Sequence, residues 1–495
     1  ARNLKVIVLR KLNRPDEADE LLRQTLKLDP LDWWARHLDG ENLGCDLQTQ
    51  LDIVHDCARA GFFDEAIDIL KNAAAEPRDL PDQSLGALPM IYYTLGWLRE
   101  KIRDKKFALE FYKRAASRSP DHCFPSRLEE IAILGSAMRA NPNDARAPYY
   151  LGNLFYDRHR HEEAIRLWEK SAILDPRFSI VWRNLGIGYF NVRKQPTQAR
   201  TAYDRAFKAN SADARLLYER DQLWKRLGTQ PEKRLRELEK FPDLVQQRDD
   251  LSIELCALYN QTGQHEKAAQ LLVSRKFQPW EGGEGSALGQ HVRSQLALGR
   301  AALANQDFAG ARKHFEAALM SPRNLSEAKH LLANQSDIHY WLGYACAGLA
   351  DKKSAQHHWL VAANFKGDFQ EMSVRAFSEM TYYSALSWKK LGERAKAKKL
   401  FRELLACAQK LQKTRAKIDY FATSLPTMLL FDDNLQFRQE TTALFLQAQA
   451  QLGLGKKMKA KSLLKTVLRR DPNHALAADL LRGMTDILSS SQQAR

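Results

Sequence analysis

Glycine, alanine and aromatic residues recur in this chain at an interval of 34 residues, and that interval restricts the possible folds more than any other feature. One copy places Tyr149, Tyr150, Gly152, Phe155, Ala164, Trp168 and Pro176 at fixed offsets. The next gives Trp182, Leu185, Gly186, Tyr189, Ala199, Tyr203 and Ala206, with one extra residue near Pro196. An earlier copy reads Leu95, Gly96, Ala108, Tyr112, Ala115 and Pro120. A period of this length corresponds to one helix pair that cannot bury its apolar face alone and must stack on its neighbours. Gly and Ala belong where two helices cross closely, and the aromatic rings fill the wedge between pairs. Proline ends the second helix because its ring cannot continue the hydrogen-bond ladder.

Weaker copies flank these three. Upstream lie Ala18, Leu22 and Pro30, then Ala66, Leu70 and Ala73. Downstream come Gly299 with Ala311 and Phe315, Gly343 with Ala355 and Trp359, Ala397 with Phe401, and Ala460 with Pro472. The spacing therefore predicts an all-α solenoid of about ten helix pairs, similar to the tetratricopeptide repeat (TPR). Divergent helices are expected at 125–140, 212–228, 231–241 and 244–272. The predicted organisation is a superhelix over 1–275, a connector at 276–289, further pairs over 290–412, and an inserted loop at 413–434 around Pro426. A terminal pair and capping helix follow over 435–495, with the last helix at 475–488 and a frayed tail.

Composition narrows the function classes. In 495 residues, 44% are hydrophobic and 27% charged, which fits a folded chain and excludes wholesale disorder. No apolar run reaches the roughly 18–20 residues of a bilayer span, so no membrane association is expected. The six cysteines have neither a Cys-x-x-Cys pair nor zinc-ligand spacing, which points to buried thiols in a reducing, cytoplasmic setting. The opening residues read as the middle of a helix, so a piece of a longer protein is expected. His159, His161, His357 and His358 lack metal-ligand spacing, and no nucleophile or phosphate-loop motif is present. We therefore expect no enzyme activity, metal or cofactor in this chain. The net charge of +16 is uneven. Lys389 to Lys417 holds eleven basic residues against Glu393 and Glu403, and Lys456 to Arg470 holds seven with no acid. Such stretches suggest polyanion binding, although a solvated helix face is the commoner meaning and no nucleic-acid motif accompanies them.

In a TPR array the first helix of each pair lines the inner groove, and residues three or four apart share its face. That face contains Tyr93 and Trp97 in one pair, Tyr149, Asn153 and Tyr156 in another, and Arg183 and Asn191 in a third. Aromatic rings with Asn and Arg suit the clasping of a partner peptide or a stacked sugar. The competing expectation is that some of these rings pack between helices. Of the adjacent Trp33 and Trp34, at least one is expected in the core. The loop Trp280-Glu281-Gly282-Gly283-Glu284-Gly285 combines a ring with two carboxylates, which suits a structural connector first and a docking or sugar site second.

Several stretches extend the resemblance: Asp29 to Arg36, Phe124 to Glu130, Trp182 to Gly186, Gln247 to Leu251, and Trp280 to Gly285. They are similar to the C-terminal half of large bacterial proteins in which a mutarotase-like β-sandwich of unassigned function precedes TPR repeats. Genes of that family lie near sugar uptake and metabolism genes, so the resemblance implies a carbohydrate-linked role. On that footing Arg127, Trp280, Glu281 and Glu284 would help complete a sugar site or dock the β-sandwich. The leading expectation is an interaction scaffold that binds a partner protein or its own N-terminal domain.

Overall fold

The computed structural model describes residues 1–75, 86–280, 282–370, 373–417 and 430–492. The described chain is helical almost throughout, apart from a two-stranded antiparallel hairpin that pairs Asp368–Gln370 with Ser373–Arg375. It divides into two compact units, Ala1–Ala209 and Asn210–Arg495. The expected connector at 276–289 falls inside the second unit. Glu281, Pro426 and most of the expected 413–434 loop lie outside the described residues.

Ten helix pairs share one turn design. In each, a single residue with positive φ stands two positions before the second helix: Asn13, Gly61, Arg103, His159 and Lys194 in the first unit, then Gly263, Gln306, Ala350, Gly392 and Gly455. That left-handed step reverses the chain tightly enough for the two helices to lie side by side.

Packing within a pair follows the glycine–aromatic spacing. A Cβ built on Gly152 would lie 2.5 Å from Trp168 Nε1, and one on Gly96 would lie 2.5 Å from Tyr112 Cε1. Gly186 meets Tyr203, Gly299 meets Phe315 and Gly343 meets Trp359 in the same way. The missing side chain is the space that the aromatic ring of the second helix occupies. The alanines at the crossing are sealed: Ala164, Ala199, Ala311 and Ala460 are all 0% exposed.

Several boundaries differ from expectation for local reasons. The helix expected from Pro125 begins at Glu129. The Glu130 carboxylate accepts the backbone N–H groups of Ser126 at 2.7 Å and Arg127 at 2.8 Å, which holds the preceding residues in a turn. The stretch 244–272 is broken into Pro242–Gln247, Asp249–Gln261 and His265–Val273, the last break falling at the left-handed Gly263. The final helix runs Ala475–Gln492, past the expected end, because no Pro or Gly follows Leu488 to stop it.

In the second unit the end of the array folds back onto its beginning. Gln261 Nε2 donates to Pro472 O at 3.0 Å, and Arg234 Nη1 donates to Asn473 Oδ1 at 2.6 Å. Arg293 holds Asp479, and Arg482 donates to the carbonyl of Gln261. Arg234 itself is fully buried and bonds both Asp221 and Glu254, so its charge is balanced inside the unit.

Candidate partner-binding face

The expected face of the first unit lies on three first helices, Leu88–Lys101, Arg146–Asp157 and Ser179–Asn191. Two of its members are core residues. Tyr93 is 0% exposed, and its hydroxyl donates to Asp144 Oδ2 at 2.8 Å while its ring meets that of Tyr150. The segment entering the next pair closes over it. Tyr149 is also buried, edge-on to Phe178 with ring centroids 4.8 Å apart, and the Arg146 guanidinium covers Phe178 at 3.5 Å. Burial pushes both phenols above their ordinary range. Neither ring is offered to a partner, which corrects the expectation for these two.

The other members remain half-buried, and most of them join one network. Asn153 Oδ1 accepts from Trp168 Nε1 at 3.0 Å within its own pair. It also accepts from Asn184 Nδ2 at 3.0 Å in the next pair. Asn184 Oδ1 in turn receives Arg183 Nη1 at 3.3 Å. Tyr156 packs on Trp168 at 5.1 Å and on His161 at 4.6 Å. Asn191 closes the same helix as Arg183. Trp97 stands apart, set edge-on to Phe63 with Lys101 Nζ 4.9 Å above its ring. A band of amide, guanidinium and phenol groups thus crosses from one repeat to the next, fixed from below by the Trp168 indole.

The second set of expected residues is engaged in holding loops. Arg127 bonds Asp52, Gln48 Oε1 at 2.9 Å and the Gln48 carbonyl at 3.0 Å, joining the turn before Glu129 to the helix Leu47–Arg59. The Trp280 ring lies where a Gly283 side chain would stand, with its Cε2 2.0 Å from an ideal Cβ. Glu284 accepts the N–H of Gly282 at 2.9 Å, inside its own loop. Glu327 fixes the same loop by accepting from Gly285 and Leu288 at the start of the helix Ser286–Ala304. Arg127 and Trp280 belong to different compact units. Of the tryptophan pair, Trp34 is buried and Trp33 is half-buried beneath the Arg36 guanidinium.

In the second unit the equivalent positions flank Gly343, where Tyr340 is buried like Tyr149 and Tyr344 stays half-buried. The offsets that pick out Tyr149 and Asn153 relative to Gly152 pick out Tyr340 and Tyr344 relative to Gly343. There the hydroxyl of Tyr340 donates to that of Tyr344 at 3.3 Å, and Lys390 Nζ stands 3.9 Å over the Tyr344 ring. Burial raises the pKa of Asp337, one turn before Tyr340, to about 6. Among the described residues no three His, Cys, Asp or Glu side chains converge to hold a metal. None of the described helices is long and apolar enough to cross a membrane.

A stacked array of helix pairs with a polar first-helix face defines an α-solenoid repeat protein. Residues 91–122, 131–177 and 442–474 match models of the tetratricopeptide repeat, so the chain carries TPR repeats. Among solved structures it is similar to YrrB, a TPR protein with an unusual peptide-binding site. That match has 15% identity, 45% of this chain and 96% of that one covered, and a TM-score of 0.29. A MamA structure matches at 18% identity over 42% of this chain and 93% of that one, with a TM-score of 0.26. The Naa15/Naa10 complex bound to HypK-THB matches at 14% identity over 79% and 64%, with a TM-score of 0.35.

Proposed function

We propose that the chain is a protein-interaction scaffold whose first unit binds an extended segment of a partner across the Asn153–Arg183 band. The partner is another protein or the N-terminal domain of the same polypeptide. The observation that carries this reading is the Trp168–Asn153–Asn184–Arg183 chain of hydrogen bonds. It holds polar side chains of two successive repeats in fixed positions while leaving them half-exposed. Preorganised donors and acceptors of this kind lower the entropic cost of binding a peptide backbone.

The test is affinity capture with the whole chain as bait, followed by a direct binding measurement with the captured partner. An Arg183→Ala, Tyr156→Ala double variant leaves the buried tyrosines in place. Loss of roughly tenfold or more in affinity, more than most single interface truncations cost, supports the assignment. Unchanged affinity removes it. A sugar site on Arg127, Trp280, Glu281 and Glu284 draws only on the loop's residue types and the resemblance, because the Arg127 guanidinium and the Glu284 carboxylate already serve their own loops.

A further inference from the structure

The second unit contains a cavity of about 970 Å³ where the beginning and end of its array meet. One wall is the end of the helix Ala214–Arg226 and the turn through Gln230. The other is the face of the helix Lys457–Arg470 that presents Ser462, Lys465 and Arg469. Residues three, four and seven apart share a helix face, so these side chains point the same way.

Four cations line the cavity, and no acidic residue is among the lining side chains. Two of the four are already balanced. Arg226 pairs with Asp433 at 2.8 Å, and Arg470 pairs with Glu440 at 2.9 Å while lying 3.9 Å over the Phe437 ring. Lys465 and Arg469 are exposed and form no ion pair with a described carboxylate; Arg469 donates only to Thr466 Oγ1, at 3.0 Å. Leu227, Leu468, Pro472 and the 41% exposed Phe437 add apolar surface to the lining.

From this arrangement we infer that the cavity is a binding site for a short acidic peptide segment of a partner protein, with carboxylates on Lys465 and Arg469 and an apolar side chain against Phe437. The site is separate from the first-unit face and does not depend on the reading given for it. Charge complementarity selects the ligand's sign, and the apolar side chains beside the cations favour a peptide over a sugar-phosphate backbone. A nucleic-acid site needs a continuous track of cations along a phosphate backbone, whereas this cleft offers two cations, one helical turn apart, that pair with no described carboxylate. Because the two walls come from residues more than 200 apart in sequence, an occupant would also bridge the closure of the unit.

The probe is a fluorescein-labelled heptapeptide, Glu-Glu-Leu-Asp-Phe-Glu-Glu, titrated with the full chain by fluorescence anisotropy. Lys465→Glu with Arg469→Glu is the test variant. Lys398→Glu with Lys399→Glu is the control, on the separate basic surface that includes Arg402. Saturable binding that weakens roughly tenfold or more in the test variant and holds in the control supports the site. Three results would overturn it: no binding up to about 1 mM peptide, equal loss in both variants, or equally tight binding of a single-stranded oligothymidylate with the steep salt dependence of a polyanion.

Discussion

Arg293 grips Asp479 through two hydrogen bonds of 2.9 Å, joining the helix Ser286–Ala304 to the final helix across 186 residues of sequence. Both side chains are about nine-tenths buried. Burial alone would raise the Asp479 pKa, but the Arg293 hydrogen bonds and charge outweigh it and hold the carboxyl below its ordinary range. Asp479→Asn keeps the shape and removes the charge, leaving Arg293 uncompensated at a cost of about 3 kcal/mol. Faster amide exchange in the helices Asp249–Gln261 and Ala475–Gln492 is the expected readout. Since the folded pKa is depressed, the contribution is complete above the unfolded value of about 4 and is lost as pH falls through the folded one. Exchange in these helices that matches wild type would mean the closure is held by other contacts.

The helix crossings give a paired prediction. Gly152→Ala places a methyl 2.5 Å from Trp168 Nε1, so the ring or the helix must move, at about 1–3 kcal/mol. Gly135 lies in the helix Glu129–Ala140 with no atom nearer than Arg139 Nη1 at 3.5 Å. There, alanine should stabilise by about 0.5–1 kcal/mol through helix propensity. Urea midpoints of the two variants should move in opposite directions; shifts of the same sign would refute the crossing argument.

Turn geometry gives a third. Ala350 holds a φ of 60°, where a Cβ crowds the backbone, while Gly263 occupies the matching position of its own pair with a φ of 84°. Ala350→Gly should be neutral or stabilising by up to about 1 kcal/mol, and Gly263→Ala destabilising by a similar amount. Thermal unfolding of the two variants checks the sign.

What could be read from sequence was what lies close in sequence. Gly152 and Trp168 are one helix–turn–helix apart, so their pairing repeats with the period and announces the fold. Helical spacing puts Tyr93 and Tyr149 on an open face because they share a helix side with Trp97 and Asn153. Their burial comes from Asp144, Tyr150 and Phe178 in the segments that follow, which helical periodicity does not describe. The Arg293–Asp479 pair and the cavity between Arg226 and Lys465 join residues about 200 apart, and no local rule couples such positions. The half-buried Tyr344 is legible from the sequence, since it stands at the same offset from Gly343 as Asn153 does from Gly152, while Tyr340 shares the burial of Tyr149.

His55, on the helix Leu47–Arg59, is 1% exposed, and neither ring nitrogen has a hydrogen-bond partner. Burial, helped by the positive charge of Arg127, pushes its pKa down to about 4, so the folded ring stays neutral where an unfolded one takes up a proton. A base with a depressed folded pKa contributes no penalty above the unfolded value of about 6.5, and stability is lost as pH falls from there toward 4. Between pH 7 and 5 the loss should reach about 2 kcal/mol, from roughly 1.4 kcal/mol per pH unit below 6.5. His55→Leu removes the titrating group and fits an apolar site, so the gap between variant and wild type should widen on acidification. Urea midpoints at pH 7, 6 and 5 measure that gap directly, and other histidines cancel because both chains carry them. A constant gap would mean that the folded ring accepts its proton as readily as the unfolded one, and that the Leu47–Arg59 helix opens to let water reach it.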